Sequence, residues 1–427
     1  MKQPTLFDLE DGFVGRKTKD VTFKGKLDLP IHRWYRLTPS FSPQLAMDIA
    51  DHFGLSGHDR VLDPFSGVGT VPLCMKYRGI PACSIELNPY LHFVSTVKTR
   101  TYRDLSGIRR GFESFLKSAR SETRLLSHLE NARAYLSDHA RYIPRINHIE
   151  RWWSECNLAQ LVALRKRIME LPPEPEFTDL LRMATLAILI PASNAKHNHV
   201  SLTFAEEPLP PIDVAGLLAD KSEEICADIE SVADKPGAEV LVFRGNSKFA
   251  SKVLPEDLRF TAVITSPPYP NRFSYARETR PHMFFFDFIE SAGAVGELET
   301  EAIGGTWGRA TSVLAKGVQP ANEVVAGALK PFVPNIGQAG ELMASYVVKY
   351  FNDIYTHAAQ IAKVCDRRAR LAYVIGNSKF YGNPLPSDEI LAALFKHFGF
   401  ELEGIQKMRR RQSKEGLYEA VVFMSRH

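Results

Sequence analysis

The 427-residue sequence has few cysteines, and none of them is spaced for a metal site or a redox pair. No C-x-x-C and no paired Cys/His spacing occurs, which argues against a zinc site. Scattered thiols of this kind are typical of buried, reduced side chains in a reducing compartment. The sequence therefore predicts no bound metal and no disulfide framework for the five cysteines: Cys74, Cys83, Cys156, Cys226 and Cys365.

Long hydrophobic runs are also missing. No apolar stretch approaches the roughly 20 residues that a membrane-spanning helix needs, and the amino terminus lacks the pattern of a signal peptide. We therefore expect no membrane association and a cytoplasmic location. With 44% hydrophobic and 24% charged residues the composition is that of a globular protein. At about 150 residues per domain, the length gives room for two or three domains.

The glycine-rich stretch DPFSGVGT, Asp63–Thr70, lacks the signatures of a phosphate-binding loop. No G-K-[S/T] follows it, and its glycines do not fit G-x-G-x-x-G. It does lie between a short strand and a helix, and the next strand, in PACSIELNP, ends at Glu86. Such a strand, turn, helix and strand form one nucleotide-binding βαβ unit, in which an acid can accept both hydroxyls of a ribose. A plain strand-to-helix turn is the alternative interpretation.

A second turn, TSPPYPNR, follows the apolar and β-branched run Thr261–Ile264. Pro267 and Pro268 fix the backbone and remove two amide donors, so the strand cannot continue through them. Ligands of open α/β sheets collect at the carboxyl ends of strands. The turn therefore predicts that Ser266 and Tyr269 face a ligand, although a surface turn with a buried tyrosine would have the same sequence.

Together these stretches resemble the S-adenosylmethionine-dependent amino-methyltransferases of nucleic acids, and in particular the DNA N4-cytosine enzymes. The family's D-P-F-x-G-x-G-T turn, which binds the methionine part of the cofactor, is matched at six positions: Asp63, Pro64, Phe65, Gly67, Gly69 and Thr70. The acid that holds the ribose is matched by Glu86. The catalytic [S/D/N]-P-P-[Y/F/W] turn is matched by Ser266, Pro267, Pro268 and Tyr269. Two weaker matches are TPSFSP, with Thr38, on the cofactor side and RGNS, with Asn246 and Ser247, on the adenine side.

The resemblance implies a fold, and the sequence pattern divides the chain. The fold would be an α/β, Rossmann-like class I methyltransferase sheet with helices on both faces and an antiparallel carboxyl-terminal hairpin. Residues 1–33 would form an arm, and residues 34–99 and 237–427 the catalytic domain that binds S-adenosylmethionine. Residues 100–236 read as a helical insertion and are the first candidate for recognising the target, ahead of residues 290–340. We expect an irregular region at Gly293–Ile336.

The resemblance also implies a reaction. Serine at the first position of the catalytic turn is commonest among N4-cytosine enzymes, whereas aspartate is commoner for N6-adenine. We therefore expect a site-specific DNA methyltransferase that modifies N4 of a flipped cytosine, with a cognate restriction enzyme as a partner. N6-adenine methylation, RNA base methylation and an inactive nucleic-acid-binding module remain alternatives. A C5-cytosine enzyme would need a catalytic cysteine, and no Pro-Cys pair occurs in the sequence.

Basic residues indicate where DNA would be held. The stretch after the catalytic turn interleaves arginines with aromatic residues, a mixture that suits a strand backbone and an extruded base: Arg272, Tyr275, Arg277 and Arg280. Residues 100–170 contain 14 Lys and Arg against 8 Asp and Glu, and residues 171–237 contain 4 against 12. Solvated helix surfaces would explain these charges equally well. The remaining candidate phosphate contacts are Arg109, Arg110, Arg165, Lys166, Arg167 and, near the carboxyl terminus, Arg410.

The amino terminus carries a separate motif. QPTLF, Gln3–Phe7, resembles the Q-x-x-L-F peptide with which bacterial proteins dock onto the replication sliding clamp. A flexible end with one polar and two apolar anchors suits such a groove. Clamp binding is therefore a hypothesis, with a chance match of five residues as the alternative.

Overall fold

The computed structural model describes residues 29–35, 37, 41–172, 174–196, 203–305, 309–411 and 415–426. A seven-stranded sheet forms its centre. Its strands, in chain order, are β1 (Val61–Asp63), β2 (Ala82–Glu86), β3 (Val240–Arg244), β4 (Phe260–Thr265), β5 (Cys365–Gly376), β6 (Phe400–Arg410) and β7 (Tyr418–Arg426). Two-stranded ribbons join Ala195–Lys196 to Thr203–Phe204 and Ser378–Phe380 to Asn383–Leu385.

The strands of the sheet lie in the order 3-2-1-4-5-7-6. β1 pairs in parallel with β2 and β4, and β7 runs antiparallel to both β5 and β6. The chain moves outward from β1 to β3 and then returns to β4, so the topological switch point lies between β1 and β4. This order, with the antiparallel β6–β7 hairpin, confirms the predicted class I methyltransferase fold.

Apolar residues on successive strand positions explain why both faces of the sheet are covered. Val61 packs against the helices Pro43–His52 and Thr70–Tyr77, whereas Leu62, the next residue, points to the opposite face and packs with the helices Glu341–Val364 and Ser387–Lys396. The helices are α1 (Pro43–His52), α2 (Thr70–Tyr77), α3 (Pro89–Thr99), α4 (Leu105–Leu125), α5 (Leu129–Asp138), α6 (Ile149–Trp152), α7 (Glu155–Met169), α8 (Pro175–Ile188), α9 (Val214–Ser231), α10 (Ala250–Val253), α11 (Tyr275–Glu278), α12 (Arg280–Phe285), α13 (Ala292–Glu301), α14 (Arg309–Leu314), α15 (Glu323–Leu329), α16 (Val333–Ala339), α17 (Glu341–Val364) and α18 (Ser387–Lys396). Short 3-10 helices cover His32–Trp34, Ala140–Tyr142 and Ser247–Phe249.

The region predicted as a helical insertion consists of α4 to α9 with one of the small ribbons. Its core is continuous with α3 and α12, where Phe284 and Phe285 are buried. Residues 29–35 pack onto the same core. The Asp228 carboxylate on α9 accepts hydrogen bonds from the Ile31 amide at 2.8 Å and from the Trp34 indole at 3.0 Å. The domain boundaries themselves stay a prediction.

The expectation of an irregular region at 293–336 is wrong. The structure contains α13, α14, α15 and α16 there. Two amino-terminal caps explain these helices, since the Ser291 hydroxyl accepts from the Ala294 amide at 3.2 Å and the Asn322 side chain accepts from the Val325 amide at 3.0 Å. A high alanine content then favours helix over loop.

The described part of the chain contains no helix with the length and apolar character required to cross a membrane. The five cysteines are all buried and unpaired with one another. Within the residues that the structure describes, no group of three or more His, Cys, Asp or Glu side chains could hold a metal ion.

Candidate active site

The two turns singled out in the sequence meet at the carboxyl edge of the sheet. Asp63, the last residue of β1, is 3% exposed, and its Oδ1 accepts the Thr265 hydroxyl at 2.6 Å. The same oxygen accepts the Phe65 amide at 3.1 Å. Thr265 is the last residue of β4 and directly precedes Ser266. This buried carboxylate therefore fixes the spacing between the glycine turn and the proline turn.

The glycine turn rests on the end of β2. Gly67 and Gly69 have φ angles of +52° and +75°, which disfavour any residue with a Cβ atom. The Ser66 amide donates to the Ile85 carbonyl at 3.0 Å, and the Gly67 amide donates to Glu86 Oε2 at 2.7 Å. Gly69 then precedes α2 as its amino-terminal cap residue. The backbone is thereby folded against β2, with Glu86 beneath the turn.

Glu86 lies at the carboxyl end of β2 and is 9% exposed. Besides the Gly67 amide on Oε2, its Oε1 accepts the Asn88 amide at 2.7 Å. Burial raises the pKa of Glu86 to about 7, against the opposing effect of these hydrogen bonds. The carboxyl group therefore changes its charge near neutral pH, at the position predicted to hold a ribose.

The residues of this turn fit S-adenosylmethionine, the cofactor of this fold and of the resembled family. A Cβ atom built on Gly67 meets nothing within 4 Å, so the backbone borders open space at the sheet edge. The Phe65 ring is half-buried beside His357, with 4.8 Å between ring centroids. An open backbone face beside a buried carboxylate suits a ligand that carries both an amino-acid part and a ribose.

The residues predicted on the adenine side lie at the same sheet edge, after β3. Asn246 is 9% exposed and Ser247 is 4% exposed. The Asn246 side chain accepts from the Lys248 amide at 3.0 Å and donates to the Glu301 carbonyl at 3.1 Å. Asn246 thus joins this turn to the end of α13. Thr38 lies outside the described residues.

A pH dependence follows from Glu86. Since the folded-state pKa is raised from 4.5 to about 7, the neutral carboxyl predominates below pH 7. Only the ionised group offers both oxygens as acceptors to ribose hydroxyls. We therefore expect the affinity for S-adenosylmethionine to fall as pH drops through 7, approaching about tenfold per pH unit. Calorimetric titration between pH 5.5 and 8.5 measures this.

The control for this experiment is Glu86→Gln, which removes the titrating group and should give weak binding with little pH dependence. Wild-type affinity that is equal at pH 6 and pH 8 would show that Glu86 does not bind the ribose.

The raised pKa of Glu86 also affects folding. The contribution of its neutral carboxyl to the free energy of unfolding is lost as pH rises from 4.5 through 7.

The proline turn is held from two sides. The Ser266 hydroxyl donates to the Val374 carbonyl of β5 at 3.0 Å, which leaves its oxygen lone pairs as acceptors. The Pro268 carbonyl accepts the Tyr350 hydroxyl of α17 at 2.7 Å, and the Pro270 carbonyl accepts the Ser378 hydroxyl at 2.8 Å. The turn is therefore a rigid platform and Pro267 within it is buried.

The Tyr269 ring lies against the end of β5. A Cβ atom on Gly376 would stand 3.1 Å from Cδ2 and Cε2 of this ring, so only glycine leaves room for it. The Arg411 guanidinium lies 5.7 Å from the ring centroid and donates to the Asn377 carbonyl at 3.2 Å. The sequence prediction selected Arg410, which is exposed, and missed Arg411. Arg410 ends β6 and Arg411 follows it. Because successive side chains of an extended chain point to opposite sides, this alternation distinguishes the two arginines.

Arg272 and Tyr275, two of the predicted DNA contacts, lie in the chain directly after the proline turn. The Arg272 amide donates to the Tyr346 hydroxyl at 3.2 Å, and Arg272 has a φ of +62° with an exposed side chain. Tyr275 contacts Phe273 edge to face at 4.9 Å. Burial raises the pKa of the Tyr275 phenol well above its ordinary value, and the Glu86 charge adds to this. The phenol therefore stays neutral next to the cofactor turn.

The structure corrects the prediction for Arg165. This residue is 2% exposed and its guanidinium donates to Asp287 at 2.5 Å and to the Tyr142 carbonyl. Most side chains of α7 are buried, so a place in the basic run at its end does not make Arg165 a solvated residue. Arg165 is thus part of the core and is not available to a phosphate.

The other predicted arginines of the insertion lie at its surface, where two of them pair with acids. Arg109 contacts Glu223 at 2.7 Å, and Arg167 contacts Glu122 at 2.7 Å. Arg110 is exposed on α4, and Lys166 lies 3.7 Å from Glu170. Two ion pairs join the basic half of the insertion to its acidic half: Arg109 with Glu223, and Arg100 with Asp179 at 2.8 Å. The charges of the two halves therefore partly neutralise each other.

The strand order defines a class I methyltransferase fold, and the glycine turn with its buried acid and the proline turn on the adjacent strand form a site that fits S-adenosylmethionine. Among curated proteins, the chain is 23% identical to the type II methyltransferase M.BsoBI of Geobacillus stearothermophilus, over 92% of this chain and 83% of that protein. It is 25% identical to the type II methyltransferases M.AvaI of Nostoc sp. and of Anabaena variabilis, over 61% of this chain and 54% of theirs. These relatives confirm the resemblance to DNA methyltransferases.

No protein-family model matches the chain. Solved structures with some likeness include TrmN from Thermus thermophilus, with 9% identity and a TM-score of 0.30 over 91% of this chain and 50% of that one. The rRNA methyltransferase aviRa from Streptomyces viridochromogenes has 9% identity and a TM-score of 0.32 over 96% and 94%. The fold of this chain follows from its own strand order.

Proposed function

We propose that the protein is a site-specific DNA methyltransferase that transfers the methyl group of S-adenosylmethionine to the exocyclic N4 amine of cytosine. One observation carries this proposal: the Thr265 hydroxyl bonds the Asp63 carboxylate at 2.6 Å, which sets the S-P-P-Y turn beside the cofactor turn. The type II methyltransferase relatives support DNA as the substrate.

Alignment is the main task of the protein in this reaction. An exocyclic amine conjugated to a base ring is a weak nucleophile, so it must be held in line with the methyl donor. S-adenosylmethionine supplies a methyl group that is already activated as a sulfonium. The Ser266 hydroxyl donates its own hydrogen to the Val374 carbonyl, so its oxygen is able to accept a hydrogen bond from the amine. The Pro267 carbonyl accepts a hydrogen bond from the second amine hydrogen. Both contacts raise electron density on the amine nitrogen.

The target base must leave the duplex to reach this turn. Tyr269 offers a stacking face to the flipped base, and Gly376 and Arg411 fix the position of its ring. The serine at position 266 supports cytosine over adenine, since the aspartate form is commoner among N6-adenine enzymes. A restriction enzyme of the same specificity is the partner that we propose. Gln3–Phe7, proposed to bind the sliding clamp, lies outside the described residues.

Identification of the methylated nucleoside tests the proposal. The purified protein is incubated with tritiated S-adenosylmethionine and mixed-sequence DNA, with RNA in parallel, and the products are digested to nucleosides. We expect the label in N4-methylcytosine from DNA. Label in N6-methyladenine would keep the mechanism and correct the base. Label from RNA alone, or no label, would contradict the proposed substrate.

A further inference from the structure

A cleft of about 260 Å³ separates the insertion from the helices that follow the catalytic turn. Arg151, Trp152 and Phe204 line it from the insertion, and Arg277 and Arg280 line it from α11 and α12. The cleft is distinct from the cofactor turn and the proline turn. The insertion as a whole was predicted to recognise the target, but of the lining residues only Arg277 and Arg280 were named from the sequence as DNA contacts.

Three arginines enter this cleft, and none of its described lining residues carries a carboxylate. Glu150, next to Arg151 in the sequence, is exposed, and its carboxylate lies 3.3 Å from Nδ1 of the lining residue His148. Three guanidinium groups on one cleft create a positive potential that attracts an anion. Their planar, charge-assisted donors match the oxygens of a phosphate group.

The insertion side of the cleft is rigid. The Arg151 guanidinium lies over the Phe204 ring at 5.0 Å, and that ring meets Trp152 edge to face at 5.0 Å. Asn194 braces this side, because its amide donates to the Trp152 carbonyl at 2.7 Å and its side chain donates to the Arg151 carbonyl at 3.3 Å. Arg151 is therefore held in place before any ligand binds, which lowers the entropy lost on binding.

The opposite side continues directly from the catalytic turn. The Ser274 hydroxyl accepts the Arg277 amide at 3.0 Å and so caps α11, which begins six residues after Tyr269. Arg280 is partly buried against Phe284, and its Nε has no hydrogen-bond partner among the described residues. A buried donor of this kind requires an acceptor, and the part of the chain described here does not supply one.

We propose that this cleft binds the sugar-phosphate backbone of the DNA strand that carries the target base. The inference rests on the proposed function and gives the insertion a part in it: Arg151 clamps the strand against Arg277 and Arg280. Phosphate contacts of this kind set the register of the duplex and carry no sequence information. The apolar faces of Trp152 and Phe204 pack against the sugars.

The salt dependence of DNA binding tests this cleft. Dissociation constants of full-length wild type and Arg151→Ala for fluorescent duplex DNA are measured between 50 and 200 mM salt. Each lost phosphate contact lowers the slope of log affinity against log salt by about 0.9. We expect Arg151→Ala to show this change, and Arg151→Glu to show a larger loss of affinity. Thermal unfolding should be unchanged, because Arg151 is exposed.

Arg120→Ala is the matched control, since Arg120 is an exposed arginine of α4 that does not line the cleft. If Arg151→Ala and Arg120→Ala gave equal slopes of log affinity against log salt, the proposal that this cleft binds the DNA backbone would be overturned, even if the wild type methylates DNA. Label from RNA alone in the nucleoside experiment would overturn the proposed function, and a slope change seen only with RNA would overturn the DNA cleft as well. A wild type without salt-dependent DNA binding would also overturn it.

Discussion

Tyr269→Ala is expected to lower methyl transfer to DNA by about 5- to 150-fold and to leave S-adenosylmethionine binding unchanged. Stacking of a base on an aromatic side chain contributes about 1–3 kcal/mol, which corresponds to this range. The ring lies against Gly376 at the end of β5, whereas the cofactor turn lies at β1 and β2. The measurement is steady-state methylation of a target duplex, together with calorimetric titration of the cofactor.

Tyr269→Phe is the matched control. It keeps the ring, and Gly376 and Arg411 still determine the ring position. We expect Tyr269→Phe to retain most of the activity, because stacking needs the aromatic face and not the hydroxyl. Two results would contradict this role: an alanine variant as active as the wild type, or a phenylalanine variant as impaired as the alanine variant.

The local parts of the site could be predicted from the sequence because they depend on neighbouring residues. Positive φ angles require glycine at Gly67 and Gly69, and consecutive prolines end a strand at Pro267 and Pro268. The bond between Asp63 and Thr265 is different. These residues are 202 positions apart, and only the strand order places β4 beside β1. The resemblance to a family supplied this adjacency; spacing alone could not.

The distribution of charge along the sequence predicted the ligand-facing arginines less well than turn chemistry predicted the cofactor and catalytic turns. Arg165 belongs to a basic run and is nevertheless buried, because it lies on the face of α7 that packs into the insertion. Arg151 stands alone beside two tryptophans and attracted no prediction. Its place in the cleft depends on Phe204, which reaches it from a ribbon more than fifty positions further along the chain. Tertiary packing decides which arginines face a ligand, and a charge count does not contain that information.

The two glycines of the cofactor turn should fail in different ways when each is replaced by alanine. Both have positive φ angles, so either substitution costs about 1–2 kcal/mol of folding free energy. A Cβ atom on Gly69 would lie 2.6 Å from Ser95 Oγ and 3.1 Å from its Cα, whereas one on Gly67 meets nothing within 4 Å. Gly69→Ala should therefore lose the larger amount of stability, because the backbone of α3 must also shift.

Gly67→Ala should keep most of its stability and bind S-adenosylmethionine at least tenfold more weakly, since the added methyl group enters the space that we assign to the cofactor. Denaturant unfolding measures the first effect and calorimetric titration the second. Gly237→Ala is the control, because Gly237 has open space around it without a positive φ angle. If Gly67→Ala bound the cofactor like the wild type, the open face of the turn would not be the cofactor site. Gly67 and Gly69 are two residues apart in the same turn. A loss of stability in Gly69→Ala and a loss of cofactor affinity in Gly67→Ala would therefore distinguish the residue that shapes the turn from the residue that borders the cofactor.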